Sequence, residues 1–205
     1  MRLWCFFLFF FVISCKKKEL YFQIEGNIYD QTFNSDASNV IVRLYVVPAG
    51  SSRKLVETTT SNEQGEYSFV TDYERIERIE LEFEKENYFN ENSVVNFSDL
   101  STIEINNVNK NIVAKSWVEF RFTNVAPTSP SDELKIFKYR GKTDCAECCP
   151  SSYTYYYGSI DTLIYCANSS NDYLSFYYWI NGSQNFGRDS IYTTPFDTLQ
   201  YEIIY

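Results

Sequence analysis

Apolar and polar residues alternate with a period of two along most of this chain. In "RIELEFE", Ile79, Leu81 and Phe83 fall on one side and Glu80, Glu82 and Glu84 on the other, the signature of a strand with one wet face. Similar short runs recur at close intervals. The first half carries "LYFQIEGNIYD", "NVIVRLYVV", "KLVETTT", "EYSFVTD", "RIELEFEKENY", "STIEINNV" and "KNIVAK"; the second carries "SWVEFRFTN", "LKIFKYR", "YTYYYG", "IDTLIYCA", "DYLSFYYWI", "DSIYTT" and "LQYEIIY". Beyond the first twenty residues no stretch keeps the i, i+3, i+4, i+7 spacing of a helix, and the nearest, "DYERIERIELEFEKE", resolves into alternation from Ile79 onward. Short strands separated by polar turns, rich in tyrosine and phenylalanine, predict an all-β protein. There are enough of them for two tandem β-sandwich domains, residues 20–115 and 116–205. The border at Lys115-Ser116 has no Gly/Pro/Ser linker, so the two are expected to abut rigidly.

The first twenty residues behave differently. Arg2 precedes an apolar run from Leu3 to Ile13, which stops at Ser14-Cys15 and meets Lys16-Lys17-Lys18. The run falls well short of the about 20 residues that span a bilayer, and a short apolar core behind a positive start is the layout of a secretory signal. Val12-Ile13-Ser14-Cys15 resembles the lipobox of bacterial lipoproteins. The resemblance implies that the Cys15 thiol receives a diacylglyceryl group, that the chain is cut after Ser14, and that the new amino terminus is acylated. Residues 1–14 are then a signal peptide and 15–19 a lipidated tether. Each buried methylene contributes about 0.8 kcal/mol, so several acyl chains hold a protein far better than one. Lys16 beside the lipidated cysteine, where retention at the inner membrane would want Asp, points to a lipid-anchored protein of the outer membrane, facing the periplasm or the surface.

Three segments carry a second resemblance. Ile24-x-Gly26-x-Ile28-x-Asp30, Asn39-Val40-x-Val42-x-Leu44 and Thr60-x4-Gly65-x-Tyr67-x-Phe69 are similar to the carboxypeptidase-regulatory-like, transthyretin-like (prealbumin-like) domain of secreted and surface bacterial proteins. Gly65 fits that reading, because "SNEQGEY" must reverse the chain and glycine takes positive φ without steric cost. Where the family places glycine before a tyrosine this chain has Asn87-Tyr88, and asparagine also tolerates the left-handed region. The resemblance implies a fold and no reaction. The strand pattern of the second half is similar to that of two-domain surface lipoproteins whose second domain is also transthyretin-like.

Charge and missing residue types narrow the function. The formal net charge is −9, and removing residues 1–14 takes away Arg2 and no acid, leaving −10. An acidic chain with no basic stripe is a poor partner for nucleic acid. Histidine is absent, which removes the usual general base and most catalytic zinc sites. There is no P-loop and no GxGxxG, and Glu80, Glu82 and Glu84 on a wet strand face serve solubility and edge protection. Asp30, Asn34 and Asp36 could present oxygens to calcium, but the spacing lacks the EF-hand order, and a polar hairpin loop is expected. No catalytic residue, metal or cofactor is expected.

Once Cys5 is cleaved away and Cys15 lipidated, Cys145, Cys148, Cys149 and Cys166 remain. Four thiolates could bind zinc, but an exported chain favours two disulfides. The adjacent Cys148-Cys149 pair would form a strained ring, so Cys145 and Cys166 should each join one of its members; which member stays open.

The chain's other distinctive feature is aromatic. Twelve of its 18 tyrosines fall after residue 116. In "YLSFYYWI", Leu174, Phe176, Tyr178 and Ile180 make one face and Tyr173, Tyr177 and Trp179 the other, while "YTYYYG" sets Tyr153, Tyr155 and Tyr157 opposite Tyr156. One face of each run is core. The other is either packed against the first domain or left as a binding platform of Tyr153, Tyr155, Tyr157, Tyr173, Tyr177 and Trp179. These features together lead to a non-catalytic, lipid-anchored envelope protein acting as a structural or protein-interaction module, with carbohydrate binding through the aromatic platform as the alternative. Its partners would be the membrane, through the lipid, and an envelope protein or glycan.

Overall fold

A computed structural model describes residues 20–182 and 184–205. Cys15 and the rest of the expected lipid signal therefore lie outside the described residues. The chain folds into two β-sandwiches. The first contains β1 (Tyr21–Asp30), β2 (Ser35–Asp36), β3 (Ile41–Pro48), β4 (Lys54–Thr60), β5 (Glu66–Asp72), β6 (Ile76–Glu84), β7 (Glu91–Asn96), β8 (Asn106–Asn107) and β9 (Lys110–Ile112), with one 3-10 turn at Phe97–Asp99. One of its sheets runs β4-β3-β6-β7; in the other, β1 pairs with β2 and β5 antiparallel and with β8 and β9 parallel. The alternation read in the sequence is the packing rule. Phe22, Ile24 and Ile28 of β1, Val42 and Leu44 of β3 and Ile79, Leu81 and Phe83 of β6 point inward and are buried, while the outer face of β6 holds glutamates that pair with arginines.

Gly65 closes the β4–β5 turn at φ +73°, and a Cβ there would stand 2.4 Å from the carbonyl oxygen of Ile28. Asn87 takes φ +63° in the position where the resembled family has glycine. Asp30 is buried and fully engaged: its carboxylate accepts from the backbone amides of Thr32 and Phe33 and from the Tyr88 hydroxyl at 2.6 Å. It therefore braces a loop and has little left to offer calcium.

Two elements depart from expectation. "STIEINNV" is a strand only at Asn106–Asn107, because Asn106 accepts from the Ser101 amide and the Ser101 hydroxyl accepts from the amides of Ile103 and Glu104. Short polar side chains here offer the backbone an alternative to a ladder. In exchange, Glu91–Asn96 forms an edge strand against β6 that the alternation did not single out.

The second sandwich consists of β10 (Lys115–Thr123), β11 (Glu133–Arg140), β12 (Thr154–Tyr157), β13 (Asp161–Ser169), β14 (Asp172–Ile180), β15 (Phe186–Thr193) and β16 (Thr198–Ile204). Its sheets run β13-β10-β16 and β12-β11-β14-β15. Val118, Phe120, Phe122, Leu134, Leu174 and Phe176 fill the space between them, with Phe120 edge-on to Phe176 at 5.0 Å. Cys145 is bonded to Cys148 and Cys149 to Cys166, one of the two pairings left open by the sequence. Cys149 and Cys166 are buried in the core, whereas Cys145 and Cys148 stay partly exposed on a loop.

Rings and backbone groups from both sandwiches form the seam. Phe196 lies 5.8 Å from Phe33 and 5.6 Å from Tyr88. Ala114 takes a hydrogen bond from the Ser170 amide, and its own amide donates to Thr32. The Asn171 side-chain amide donates to the Thr32 carbonyl at 3.2 Å.

Candidate functional site

Sheet β12-β11-β14-β15 turns one face to the core and the other outward. Directly opposed residues on neighbouring strands share a face, so the register sorts the outer face into rows. One row is Tyr155, Lys135, Trp179 and Phe186, one residue from each strand. The next has Phe137, Tyr177 and Arg188, extended by Tyr153, which stacks on Phe137 at 4.8 Å. Tyr173 and Tyr192 form a further row, 5.1 Å apart. Four strands at about 4.8 Å spacing make each full row roughly 14 Å wide.

The structure thus places Tyr153, Tyr155, Tyr157, Tyr173, Tyr177 and Trp179 on a single face, with Tyr156 turned into the core. Trp179 sits at the centre, 5.9 Å from Tyr153, 6.1 Å from Tyr177 and 5.4 Å from Phe186. The rings of Tyr155 and Tyr157 lie nearly parallel, 6.3 Å apart, toward the β12 edge. Among the described residues, no hydrogen bond, ion pair or ring contact links these six to the first sandwich. The seam is made by Phe33, Tyr88 and Phe196 instead; Tyr153, Tyr155, Tyr157 and Tyr173 are exposed, and Tyr177 and Trp179 are half-buried among their neighbours on the face.

Several members of the face were not singled out from the sequence. Lys135, Phe137 and Tyr139 alternate with Leu134, Ile136 and Lys138, and Phe186, Arg188 and Tyr192 alternate along β15, so the signal was present in the pattern. The β-bulge was not. Lys138 opposes Phe176 but Arg140 opposes Ser175, which leaves Tyr139 as the extra residue. A bulge re-aims side chains. Here it brings both Tyr139 and Arg140 outward, Tyr139 stacking on Tyr177 at 4.3 Å and the Arg140 guanidinium lying over Tyr173 at 5.2 Å.

The charges of the face are mixed but mostly basic. The Lys135 ammonium rests 4.1 Å from the Trp179 ring centre and 5.3 Å from that of Tyr153. Arg140 is paired with Asp172 at 2.6 Å. Glu133 sits at the rim beside Tyr157, whose hydroxyl is pushed up first by partial desolvation and then by that carboxylate. Lys138 faces the other way, into the core. Its buried ammonium donates to the carbonyl of Lys142, and desolvation lowers its pKa.

Among the described residues no three acidic, histidine or cysteine side chains come together as a metal site, and no helix is long and apolar enough to cross a membrane. The face offers ring surfaces, phenol hydroxyls and cations: it can bind.

No family model and no curated protein matches the chain. Among solved structures it is similar to the Bacillus anthracis TIE protein, with 12% identity and a TM-score of 0.39, covering 90% of this chain and 34% of that one. It is similar to a streptococcal ancillary pilin at 10% identity and a TM-score of 0.38, covering 92% of this chain and 63% of the pilin. The shaft pilin SpaA from Lactobacillus rhamnosus GG matches at 10% identity and a TM-score of 0.37, covering 90% and 96%. The chain spans about a third of the length of the first of these. Scores and identities this low say nothing of what this chain does.

Proposed function

We propose that the chain is a lipid-anchored, non-catalytic protein of the cell envelope, held at the outer membrane through Cys15, and that it works as an interaction module whose contact surface is the outer face of β12-β11-β14-β15. The observation that carries this reading is the open grid of rings centred on Trp179. Exposed rings clustered on one face, here Tyr153, Tyr155, Tyr157, Tyr173 and Phe186 around a half-buried Trp179, mark interaction sites. The absence of histidine supports the non-catalytic part, as does the engagement of the buried Asp30 in bracing a loop. The test is binding of the purified, detergent-solubilised full chain to immobilised envelope material. Aromatic anchors commonly contribute 2 kcal/mol or more, so Trp179→Ala should weaken retention about tenfold or more while melting moves little. Retention that survives in folded Trp179→Ala and Tyr177→Ala proteins removes the face from the function.

A further inference from the structure

The charge pattern of the aromatic face points to the chemistry of its ligand. The chain has 27 acidic and 18 basic residues, and the outer face of the first sandwich shows what that balance normally produces. There Arg43 meets Glu84, Arg53 meets Glu82 and Arg78 meets Glu80. On the aromatic face, by contrast, Lys135 and Arg188 have no carboxylate partner among the described residues. Lys135 lies between Tyr155 and Trp179 in one row, its charge resting on a ring, and Arg188 flanks Tyr177 in the next. Arg188 lines a shallow groove with Phe137, Tyr153, Tyr177, Trp179 and Phe186. Two cations lacking acid partners in adjacent rows of an otherwise acidic protein complement a ligand that carries repeated negative charge.

The remaining chemistry of the face selects among anionic ligands. Among the described residues this groove is lined by rings and one guanidinium, with no aliphatic residue. Elsewhere in the molecule the hydroxyls of Tyr67, Tyr88 and Tyr201 bond to protein oxygens. Those of Tyr153, Tyr155 and Tyr177 have no such partner among the described residues, and the rings of Tyr153 and Tyr155 are exposed as well, so a ligand meets both ring and hydroxyl there. A pyranose matches that pair of features, with an apolar C–H face to lie on a ring and hydroxyls at its rim. The face is also flat, being the surface of a sheet, and suits a chain laid across it more than a side chain inserted into a deep pocket.

We infer that the aromatic face binds an acidic polysaccharide, one whose sugar rings lie against the exposed Tyr153, Tyr155 and Phe186 around the half-buried Trp179 while its carboxylates meet Lys135 and Arg188. This inference rests on the reading of the face as the contact surface and adds the class of ligand. Arg140 takes no part in it, being already paired with Asp172.

The experiment uses the detergent-solubilised full chain in affinity electrophoresis through gels containing polygalacturonate, a uronate polymer, or neutral dextran. Retardation is expected with polygalacturonate and not with dextran, and it should fall as salt is raised. Truncating hot-spot side chains typically costs tenfold or more, so both Lys135→Ala/Arg188→Ala and Trp179→Ala should cut polygalacturonate binding by about that factor. The charge variant leaves every ring in place, so its unchanged melting controls for folding. Equal retardation by both polymers, no retardation by either, or unchanged binding by the charge variant overturns the inference. A parallel assay on immobilised envelope material separates it from the reading beneath it. Binding lost after periodate treatment of that material supports a glycan; binding lost after protease treatment, and still dependent on Trp179, leaves the contact face standing but makes the partner a protein and rejects the polysaccharide. Envelope binding indifferent to Trp179 rejects both.

Discussion

The Tyr88 hydroxyl donates to the buried carboxylate of Asp30, and a phenol in that position resists ionisation. Burial first and the Asp30 charge second push the Tyr88 pKa upward, and burial does the same for Tyr67. The sign follows directly. Unfolded tyrosines release protons near pH 10 while the folded ones keep them, so the stability these groups contribute is complete below that pH and is lost as pH rises past it. Urea melts at pH 7 and above pH 10 should show this loss, and Tyr88→Phe should flatten it. At neutral pH the same variant forfeits a hydrogen bond to a charged group, worth about 1.5–3 kcal/mol. Gly65 makes a second test: an alanine would carry its Cβ toward the Ile28 carbonyl in a left-handed conformation, so Gly65→Ala should cost more than about 1 kcal/mol in the same melts. Gly65 and Asn87 were legible in the sequence because turns restrict which residues fit. Lys138 was not, since a lysine reads as an outward residue until the nearby turn that brings the Lys142 carbonyl onto its ammonium is known.

Strands were legible wherever the two faces had distinct demands, as in β5, whose limits coincide with the alternating run "EYSFVTD" and whose residues are buried and exposed in turn. They were illegible where local side-chain bonds won, at Ser101–Asn106, and where a bulge shifted the count, at Tyr139. The aromatic face was half legible for the same reason. Period-two reading identifies which tyrosines of one strand point together, but rows across strands depend on register, which only the folded sheet supplies. The disulfides show a similar division: four cysteines were assignable to two bonds, and the choice between Cys148 and Cys149 needed the loop's path. The two bonds should differ in weight. Cys149–Cys166 is buried and separated by 17 residues, Cys145–Cys148 is partly exposed and separated by 3. Loop-closure entropy gives the longer one about 3 kcal/mol, so Cys149→Ser/Cys166→Ser should lower thermal stability markedly and Cys145→Ser/Cys148→Ser much less. Limited dithiol treatment followed by alkylation and mass mapping should label Cys145 and Cys148 first.

For the whole molecule, the proposed anchor at Cys15 predicts that Cys15→Ser abolishes lipid labelling and leaves either an unprocessed precursor or a released protein; a variant still cleaved and membrane-bound would defeat it. Fractionation of cells expressing the two forms checks this directly. Both sandwiches also share an arrangement of their outermost strands. In the first, β9 runs parallel to β1 over Ile28–Asp30; in the second, β16 runs parallel to β10 from Trp117 to Thr123. A module whose first and last strands point the same way has its chain ends at opposite poles. Tension between Leu20 and Tyr205 would therefore slide those strands along one another, loading their hydrogen bonds in shear and all at once, where a hairpin would unzip them singly. Three paired residues hold this clamp in the first sandwich, helped by the two of β8, against seven in the second. Under a steady pull the first sandwich would be the one to yield, lengthening the chain while the second kept its fold.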